Sequence, residues 1–367
     1  MIIGSTQRPL RIGTRNSALA RVQSESVARY FENHGINTEL VLVTTPGDSS
    51  RASLASLGGY GVFASTLRQG LVDHQCDIAV HSAKDLPAHK APLLEVVSYP
   101  KRENTDDVLI ARDNLKFHEL PQGARIGTGS PRRAGQLRHL RPDLEIVDIR
   151  GNVPTRIKRV KGIENIGDVT IPSFKNSGPS SKGIESEKTG DLDGIVLAYA
   201  GLHRLGLDSY ITDTLGSTIV CAAAQGALAI EVHEDFLTNA ETHNIVSLLR
   251  KFDHLPTHIE VRAEQTVLEA LQAGCSAPVG VEAKVKNDKN SCILHLHVCI
   301  AHSHFIEEEI HVQIADSIDT LTPLDVNKGI DASRTLVDKL RSSYDAMIFT
   351  DLDVCTNDSH QHQKSGQ

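Results

Sequence analysis

Apolar and polar residues follow a regular order in the first half of this chain. Apolar runs typical of strands cover residues 10–14, 38–44 and 77–81, and helical patterns fill residues 17–31 and 62–73 between them. Strands that alternate with helices are typical of βαβ units around a largely parallel sheet. The chain therefore begins with a predicted α/β domain.

The same order returns beyond residues 101–107, a charged stretch that breaks the pattern and is predicted to cross into a second domain. Strands are predicted at residues 125–128, 145–149 and 194–198, with helical segments between them. Residues 161–191 differ, because glycine, serine and lysine dominate there together with two prolines. This composition predicts a flexible surface insertion in the second domain.

A third region begins near His233. Its pattern predicts a helix over residues 259–273, a strand over 292–300 and a second helix over 332–341. Residues 356–367 are polar and are predicted to form a disordered tail.

Composition narrows the class of protein. The 367 residues suffice for two or three domains. No apolar run reaches about 18 residues, so we expect no membrane span, and the N-terminus lacks the apolar core of a signal peptide. The six cysteines are scattered without a CxxC pair, which favours reduced thiols and a cytoplasmic location over a disulfide framework.

Charge is distributed unevenly along the chain. The formal net charge is −8, but residues 125–159 hold nine Lys or Arg against three Asp or Glu, a local charge of +6. A solvated helix face or a nucleic-acid surface would each explain such a window. The overall negative charge, the lack of tryptophan and an aromatic content of 4% argue against nucleic acid.

Residues 126–133 combine a short strand, two glycines and a helix start. Ser130 is a predicted N-cap and Pro131 suits the first turn, which places Arg132 and Arg133 at the N-terminal end of a helix. Unpaired backbone N–H groups and the helix dipole already attract anions there. The two arginines therefore indicate a site for carboxylates or phosphates.

Other arginines occupy similar places. In open α/β sheets ligands bind beyond the carboxyl ends of the strands, and several guanidinium groups are needed to bind several carboxylates bidentately. The arginines at or near predicted strand ends are Arg15, Arg132, Arg133, Arg150, Arg156 and Arg204. Together they predict a small polyanionic ligand.

Asp85 also follows a predicted strand, beside Lys84, in a cleft otherwise expected to be cationic. Neighbouring positive charge would keep this carboxylate ionised. Two roles remain open: stabilisation of a cation that develops during a reaction, or a structural role in which Asp85 pairs with an arginine or caps a turn.

Two further features have structural explanations. Cys275 lies in a loop of small residues after a predicted helix, and a lone cysteine is most often a small core residue. The histidines of residues 295–304 surround Cys299 on a predicted strand, but no second thiol or carboxylate has a suitable spacing. We therefore predict ordinary strand histidines and no metal site.

Seven short segments combine these features along the chain. They are RIGTRNSALA (11–20), HSAKDLP (81–87), GTGSPRR (127–133), DIRGNVPTR (148–156), AGLHRLG (200–206), AQGA (224–227) and GCSAPV (274–279). Each alone is modest evidence. In this order, and over residues 10–349, they resemble the porphobilinogen deaminase (hydroxymethylbilane synthase) family.

The resemblance implies a monomeric α/β protein of three domains. The first two, residues 1–104 with 220–232 and residues 105–219, would be similar to the halves of a periplasmic binding protein, with mostly parallel sheets and the active cleft between them. The third, residues 233–355, would be a small α/β domain that carries the cysteine loop.

The resemblance also implies a chemistry. In this family the loop cysteine, here Cys275, carries a dipyrromethane cofactor made from two substrate molecules. The implied reaction joins four porphobilinogens head to tail onto the cofactor with loss of ammonia at each step, and hydrolysis then frees hydroxymethylbilane. The implied class is a transferase of tetrapyrrole and haem biosynthesis.

Each candidate residue receives an implied role. Asp85 would stabilise the positive charge left when ammonia departs and would manage pyrrole N–H protons. The arginines implied to bind acetate and propionate groups are Arg15, Arg132, Arg133, Arg150, Arg156 and Arg204. The residues implied to support the cofactor are Ser82, Lys84, Thr128 and Ser130.

Some positions depart from the family pattern. Ser56 and Tyr60 stand where lysines are common, and Gln265 replaces a customary arginine, so a few charge contacts would be lost. Residues 161–191 are longer than usual. An alternative class, a non-catalytic anion-binding protein of the periplasmic type, would share the fold and the arginines but would have no use for Cys275.

Overall fold

The computed structural model describes residues 3–43, 62–163, 166, 190–274, 277–288, 291–302, 304–344, 349 and 352. Cys275, Ser56, Tyr60, most of residues 161–191 and the predicted tail lie outside these ranges. The strands are β1 Leu10–Arg15, β2 Thr38–Val43, β3 Ile78–Ser82, β4 Leu94–Ser98, β5 Asp107–Ala111, β6 Arg125–Gly127, β7 Glu145–Val147, β8 Gly194–Ala198, β9 Asp213–Thr214, β10 Leu228–His233, β11 Val279–Asp288, β12 Ser291–Ala301 and β13 Phe305–Ala315. The helices are α1 Ala18–Asn33, α2 Val62–Val72, α3 Pro131–Leu140, α4 Val153–Ile157, α5 Tyr199–Arg204, α6 Glu234–Thr238, α7 His243–Phe252, α8 Leu255–Ala270 and α9 Asp325–Ser343.

Two five-stranded sheets share one topology. Their strand orders are β2-β1-β3-β10-β4 and β7-β6-β8-β5-β9. In the first sheet β1 is parallel to β2 and β3, whereas β10 is antiparallel to β3 and β4. In the second sheet β6 is parallel to β7 and β8, whereas β5 is antiparallel to β8 and β9. All strands but one therefore point the same way in each sheet, which confirms the predicted mostly parallel α/β architecture.

The reversed strand of each sheet is the strand by which the chain enters from the other sheet. Residues 99–106 lead from β4 into β5, and residues 215–227 lead from β9 into β10; we call them the first and second crossing segments. They touch where the backbone N–H of Glu103 donates to the carbonyl of Gly226 at 3.2 Å. Side chains from both segments therefore lie between the two sheets.

The third region contains an antiparallel sheet in the order β11-β12-β13. Helices α8 and α9 cover one face, where Ala263, Leu296 and Leu336 are fully buried in one apolar cluster. The strands alternate, so that the cross-strand neighbours Glu282 and His297 lie on the opposite, polar face. This arrangement is the small α/β unit that was expected.

Local capping explains several helix bounds. The hydroxyl of Ser17 accepts a hydrogen bond from Ala20 N at 3.3 Å at the start of α1. Helix α8 begins at Leu255, earlier than predicted, because His254 caps it and a proline occupies its first turn.

Strand β13 was not predicted from the sequence. Its three consecutive glutamates have a low strand preference, and its pairing with β12 determines its conformation. No helix within the described ranges is long and apolar enough to span a membrane.

Candidate active site

A pocket lies at the carboxyl end of the first sheet. Its lining includes Arg15 at the end of β1, Ser82 at the end of β3 and Asp85 in the turn that follows. Gln23 of α1 also lines it and donates to the hydroxyl of Ser82 at 2.9 Å. The structure thus brings together three residues that were predicted as site residues, and it adds a fourth.

Asp85 lies in a short 3-10 turn, residues Ala83–Asp85. Among the described residues, its carboxylate forms no hydrogen bond or ion pair. The arginine that a purely structural role would supply is therefore missing from this part of the chain. A carboxylate without a partner beside a pocket is positioned to act on a bound molecule.

Lys84 points from the same turn toward the second crossing segment. Its ammonium group donates to Oε1 of Gln225 at 3.4 Å. Burial, and next the positive charge of Arg133, lowers the pKa of Lys84 to about 8. The lysine is therefore charged at neutral pH, and it loses its proton under mildly alkaline conditions.

The start of α3 has the predicted capping geometry. The hydroxyl of Ser130 accepts from the backbone N–H of Arg133 at 3.4 Å, and the hydroxyl of Thr128 accepts from Ser130 N at 3.3 Å. A Cβ at Gly129 would lie 2.5 Å from the carbonyl oxygen of Ile149. The glycine therefore lets this loop pack directly on the segment that follows β7.

Both arginines of α3 bind a carboxylate of the chain itself. Arg132 Nη2 donates to Oδ2 of Asp107 at 2.6 Å, and Arg133 donates to Oδ1 from Nε at 3.0 Å and from Nη2 at 2.7 Å. The position of Arg132 and Arg133 at a helix N-terminus predicted a ligand anion here. In the structure the anion is Asp107, the first residue of β5, so the arginine pair by itself does not indicate an external ligand.

The charge of this cluster is nevertheless positive. Burial would raise the pKa of Asp107, but the charges of Arg132 and Arg133 outweigh it and hold the pKa well below its usual range. One carboxylate thus faces two guanidinium groups, with Lys84 close by. Nε of Arg132 is buried and has no acceptor among the described residues. A buried donor without an acceptor is costly, which favours a ligand with acidic groups here.

The remaining arginines occupy two places. Nη2 of Arg204 donates to the carbonyl of Gly226 at 2.6 Å, beside Gln225, and burial lowers the pKa of this arginine. Arg150 is exposed and pairs with Asp148 at 3.3 Å, and Arg156 donates to the carbonyl oxygen of Gly151 at 2.7 Å. Arg204 thus contacts the second crossing segment, whereas Arg150 lies in the loop after β7 and Arg156 lies in α4.

Cys275 lies outside the described residues, and so does Ser276. The residues on either side are close together, because Ala277 N donates to the carbonyl of Gly274 at 2.9 Å.

Sequence reasoning missed a second charged group below the pocket. Glu231 of β10 is buried, accepts from Arg68 Nη2 at 2.9 Å and lies 3.2 Å from His81 Nε2. Burial raises its pKa, but bonding to His81 and Arg68 leaves the pKa lower than usual. An isolated glutamate in an apolar strand was the available signal. Asp107 and Gln225 were also missed, although both lie in segments that the sequence reasoning had singled out.

The histidine-rich strands contain short contacts between pairs of residues. The rings of His295 and His311 lie 4.2 Å apart, and His297 Nε2 lies 2.7 Å from Glu307 Oε1. In the ranges that the structure covers, no group of three His, Cys, Asp or Glu side chains is placed to hold a metal ion.

The fold has two α/β sheets, and a carboxylate lies among cations at the ends of their strands. This is the arrangement expected of a site for a small polyanion.

Two family models match the chain. "Porphobilinogen deaminase, dipyromethane cofactor binding domain" matches residues 10–171 and 178–241, and "Porphobilinogen deaminase, C-terminal domain" matches residues 258–332. The chain belongs to the porphobilinogen deaminase family.

Curated relatives agree. The porphobilinogen deaminase of Micrococcus luteus is 48% identical over 288 residues, 76% of this chain and 74% of the relative. That of Cutibacterium acnes is 41% identical over 335 residues, 90% of this chain and 94% of the relative. That of Leifsonia xyli is 47% identical over 281 residues, 76% and 77% of the two chains.

Solved structures of lower similarity include transport proteins. A methionine-binding protein is 11% identical with a TM-score of 0.36, and the match covers 65% of this chain and 89% of that chain. The substrate-binding protein of a methionine transporter from Streptococcus pneumoniae is 11% identical with a TM-score of 0.38, over 70% and 93% of the two chains.

Family membership establishes the activity. The chain is a deaminating transferase that converts porphobilinogen into hydroxymethylbilane in tetrapyrrole and haem synthesis, and its cofactor is a dipyrromethane. The residues present fit such a group, which carries acetate and propionate side chains. The unpartnered Nε of Arg132 and the excess of guanidinium groups around Asp107 are what a polycarboxylate would satisfy.

Proposed function

We propose that Asp85 is the catalytic carboxylate of this transferase. The observation that carries the proposal is its place in the pocket, without an ion pair among the described residues, beside Arg15 and Ser82. Loss of ammonia from porphobilinogen leaves positive charge on the substrate carbon. A fixed carboxylate at that point stabilises the charge and accepts the pyrrole N–H as a hydrogen bond.

The cofactor, when bound, supplies the nucleophilic pyrrole carbon to which substrate units are added. We propose that the chain holds it through Cys275 and that Ser82, Lys84, Thr128 and Ser130 support it. The proposed carboxylate-binding arginines are Arg15, Arg132, Arg133, Arg150, Arg156 and Arg204. Because Asp107 already orients Arg132 and Arg133, these two would bind through their remaining donors.

We also propose three domains, with boundaries at residues 1–104 with 220–232, 105–219 and 233–355. Support comes from the three sheets and from the two crossing segments, which contain the first two boundaries. In this arrangement Lys84 and Asp85 belong to the first domain and α3 belongs to the second, so that the substrate lies between them.

We propose a cytoplasmic monomer that binds neither nucleic acid nor membranes. The described cysteines, at positions 76, 221, 292 and 299, are free thiols, which suits a reducing compartment. The exposed large apolar side chains of the described residues are three separate leucines, at positions 93, 140 and 324. Such scattered residues do not form a docking surface.

The first experiment is the intact mass of the purified protein, with peptide mapping around Cys275. We expect an added mass equal to one dipyrromethane on that cysteine, and none in Cys275→Ser. Cys355→Ser, a change at another cysteine, should keep the added mass. A bare Cys275 that stays bare after incubation with porphobilinogen would overturn the proposed attachment of the cofactor to this cysteine.

A further inference from the structure

A continuous chain of buried hydrogen bonds joins the first sheet to the second. At its centre is Gln225 of the second crossing segment, which is fully buried. Its amide nitrogen donates to the carbonyl of Thr105 at 2.7 Å and to Oδ1 of Asp107 at 2.8 Å, and its amide oxygen accepts from Lys84 Nζ at 3.4 Å. Both N–H groups and the oxygen of this amide are therefore used.

The orientation of the amide follows from its partners. A backbone carbonyl and an ionised carboxylate only accept hydrogen bonds, and an ammonium group only donates them. The nitrogen of Gln225 must therefore face Thr105 and Asp107, and the oxygen must face Lys84. A flipped amide would place two acceptors together on one side and donors together on the other.

The series of hydrogen bonds continues beyond Asp107. The carboxylate accepts from Arg132 at 2.6 Å and from Arg133 at 2.7 Å. The positive charge of Arg133 disfavours the charged form of Lys84, yet both cations are held near each other. Asp85 and Asp107 favour the charged form of Lys84, and Gln225 connects Lys84 to Asp107, since the amide dipole points its positive end at the carboxylate and its negative end at the ammonium.

We propose that Gln225 is a positioning residue, which fixes the Lys84 ammonium relative to the guanidinium groups of Arg132 and Arg133 and thereby sets the spacing of the cations that bind substrate carboxylates. This inference rests on the proposed function for the role of those cations. Substrate binding would then also depend on the neutral side chain of Gln225, which contacts neither the pocket nor the reacting atoms.

The test compares Gln225→Met with Gln136→Met in the complete enzyme. Gln136 is also buried and also binds the second crossing segment, but its amide bonds are to backbone groups, Val220 N at 2.7 Å and Val220 O at 3.0 Å. Both variants lose a buried amide, so a general loss of stability would affect both. The unfolding free energy, cofactor occupancy by intact mass, KM and kcat are measured for each.

We expect Gln225→Met to raise KM for porphobilinogen about tenfold, which corresponds to a tenfold lower affinity for the substrate. The fraction of protein that carries the cofactor should also fall. Gln136→Met should leave KM and occupancy near those of the parent enzyme. Equal changes in the two variants, or an unchanged KM and occupancy in Gln225→Met, would overturn the positioning role.

If Gln225→Met does not fold, Gln225→Asn provides the test, with Gln136→Asn as its control. The shorter side chain keeps an amide but cannot reach both Asp107 and Lys84, so KM should rise and cofactor occupancy should fall while kcat stays near that of the parent. An unchanged KM and occupancy in Gln225→Asn would overturn the proposal. A parent enzyme without dipyrromethane would contradict the proposed function instead, so the two failures are distinguishable.

Discussion

Arg102 and Glu264 form a buried two-point ion pair, with Nη1 to Oε1 at 2.9 Å and Nη2 to Oε2 at 2.8 Å. Arg102 belongs to the first crossing segment and Glu264 to α8. The same carboxylate accepts from the backbone N–H groups of Ala224 at 2.5 Å and of Ala283 at 2.7 Å. Glu264 therefore ties together both crossing segments and the third sheet.

Breaking this pair should destabilise the protein strongly. In Arg102→Ala the carboxylate of Glu264 keeps its backbone donors but loses its counter-ion, and removal of one partner from a buried pair costs about 3–5 kcal/mol. Urea unfolding at neutral pH measures this loss. Lys90→Ala, which removes an exposed partner of Glu95, should leave the unfolding free energy nearly unchanged, because solvent screens such a pair. Comparable losses in the two variants would contradict the role assigned to Glu264.

Glu260 gives a pH dependence of stability. Burial raises its pKa to about 7, although Arg102 lies 3.7 Å away and Val285 N donates to it at 3.0 Å. Between the usual pKa of 4.5 and about 7 the folded protein therefore keeps a proton that the unfolded chain releases. The stability contributed by this group is complete below pH 4.5 and is lost as the pH rises through 7.

Glu260→Gln imitates the protonated side chain at every pH. We expect the variant and the parent to have similar unfolding free energies near pH 4.5, and the variant to be more stable by about 2–3 kcal/mol at pH 8. Urea titrations across this range measure the difference. A constant offset between the two proteins would show that Glu260 does not titrate in this window.

Gly226 lies where the two crossing segments touch. Its φ is +85°, and a Cβ there would overlap the carbonyl oxygen of Glu103. Gly226→Ala should therefore cost about 2–4 kcal/mol through strain and displacement. Gly206→Ala is the matched control, since its φ is +68° and, among the described residues other than its two chain neighbours, no atom lies within 4 Å of the added Cβ; it should cost about 1 kcal/mol. Thermal unfolding measures the loss of stability in both variants, and equal losses would contradict the close contact at Gly226.

Asp85→Asn should keep the fold and slow the reaction. The amide is nearly isosteric, but it lacks the charge that stabilises a developing cation, a loss of about 10²–10³ in kcat. Ammonia release measures kcat, and circular dichroism checks the fold. Asp143→Asn, which changes a carboxylate paired with Arg141 away from the pocket, should retain normal turnover. Near-normal ammonia release by Asp85→Asn would exclude it as the catalytic carboxylate.

The sequence by itself determined the βαβ order, seven of the strands and most of the candidate residues, but it did not show β4, β5, β9, β10, β11 or β13. Several features depend only on neighbours within a few residues: strand periodicity, the Ser17 and Ser130 caps and the βαβ order. They can therefore be predicted from the local sequence. The same holds for the ordered motifs that carry the family resemblance, because each motif is a short contiguous segment.

Only the tertiary structure decided how the charges are paired. Asp107 contacts Arg133 from 26 positions away, Gln225 contacts Asp107 from 118 and Arg102 contacts Glu264 from 162. The contact between Gln225 and Asp107 forms because each reversed strand enters its sheet from the other sheet, which brings the crossing segments together. Local patterns show that an arginine is present, but only the folded topology shows whether its counter-ion is a ligand or a distant aspartate.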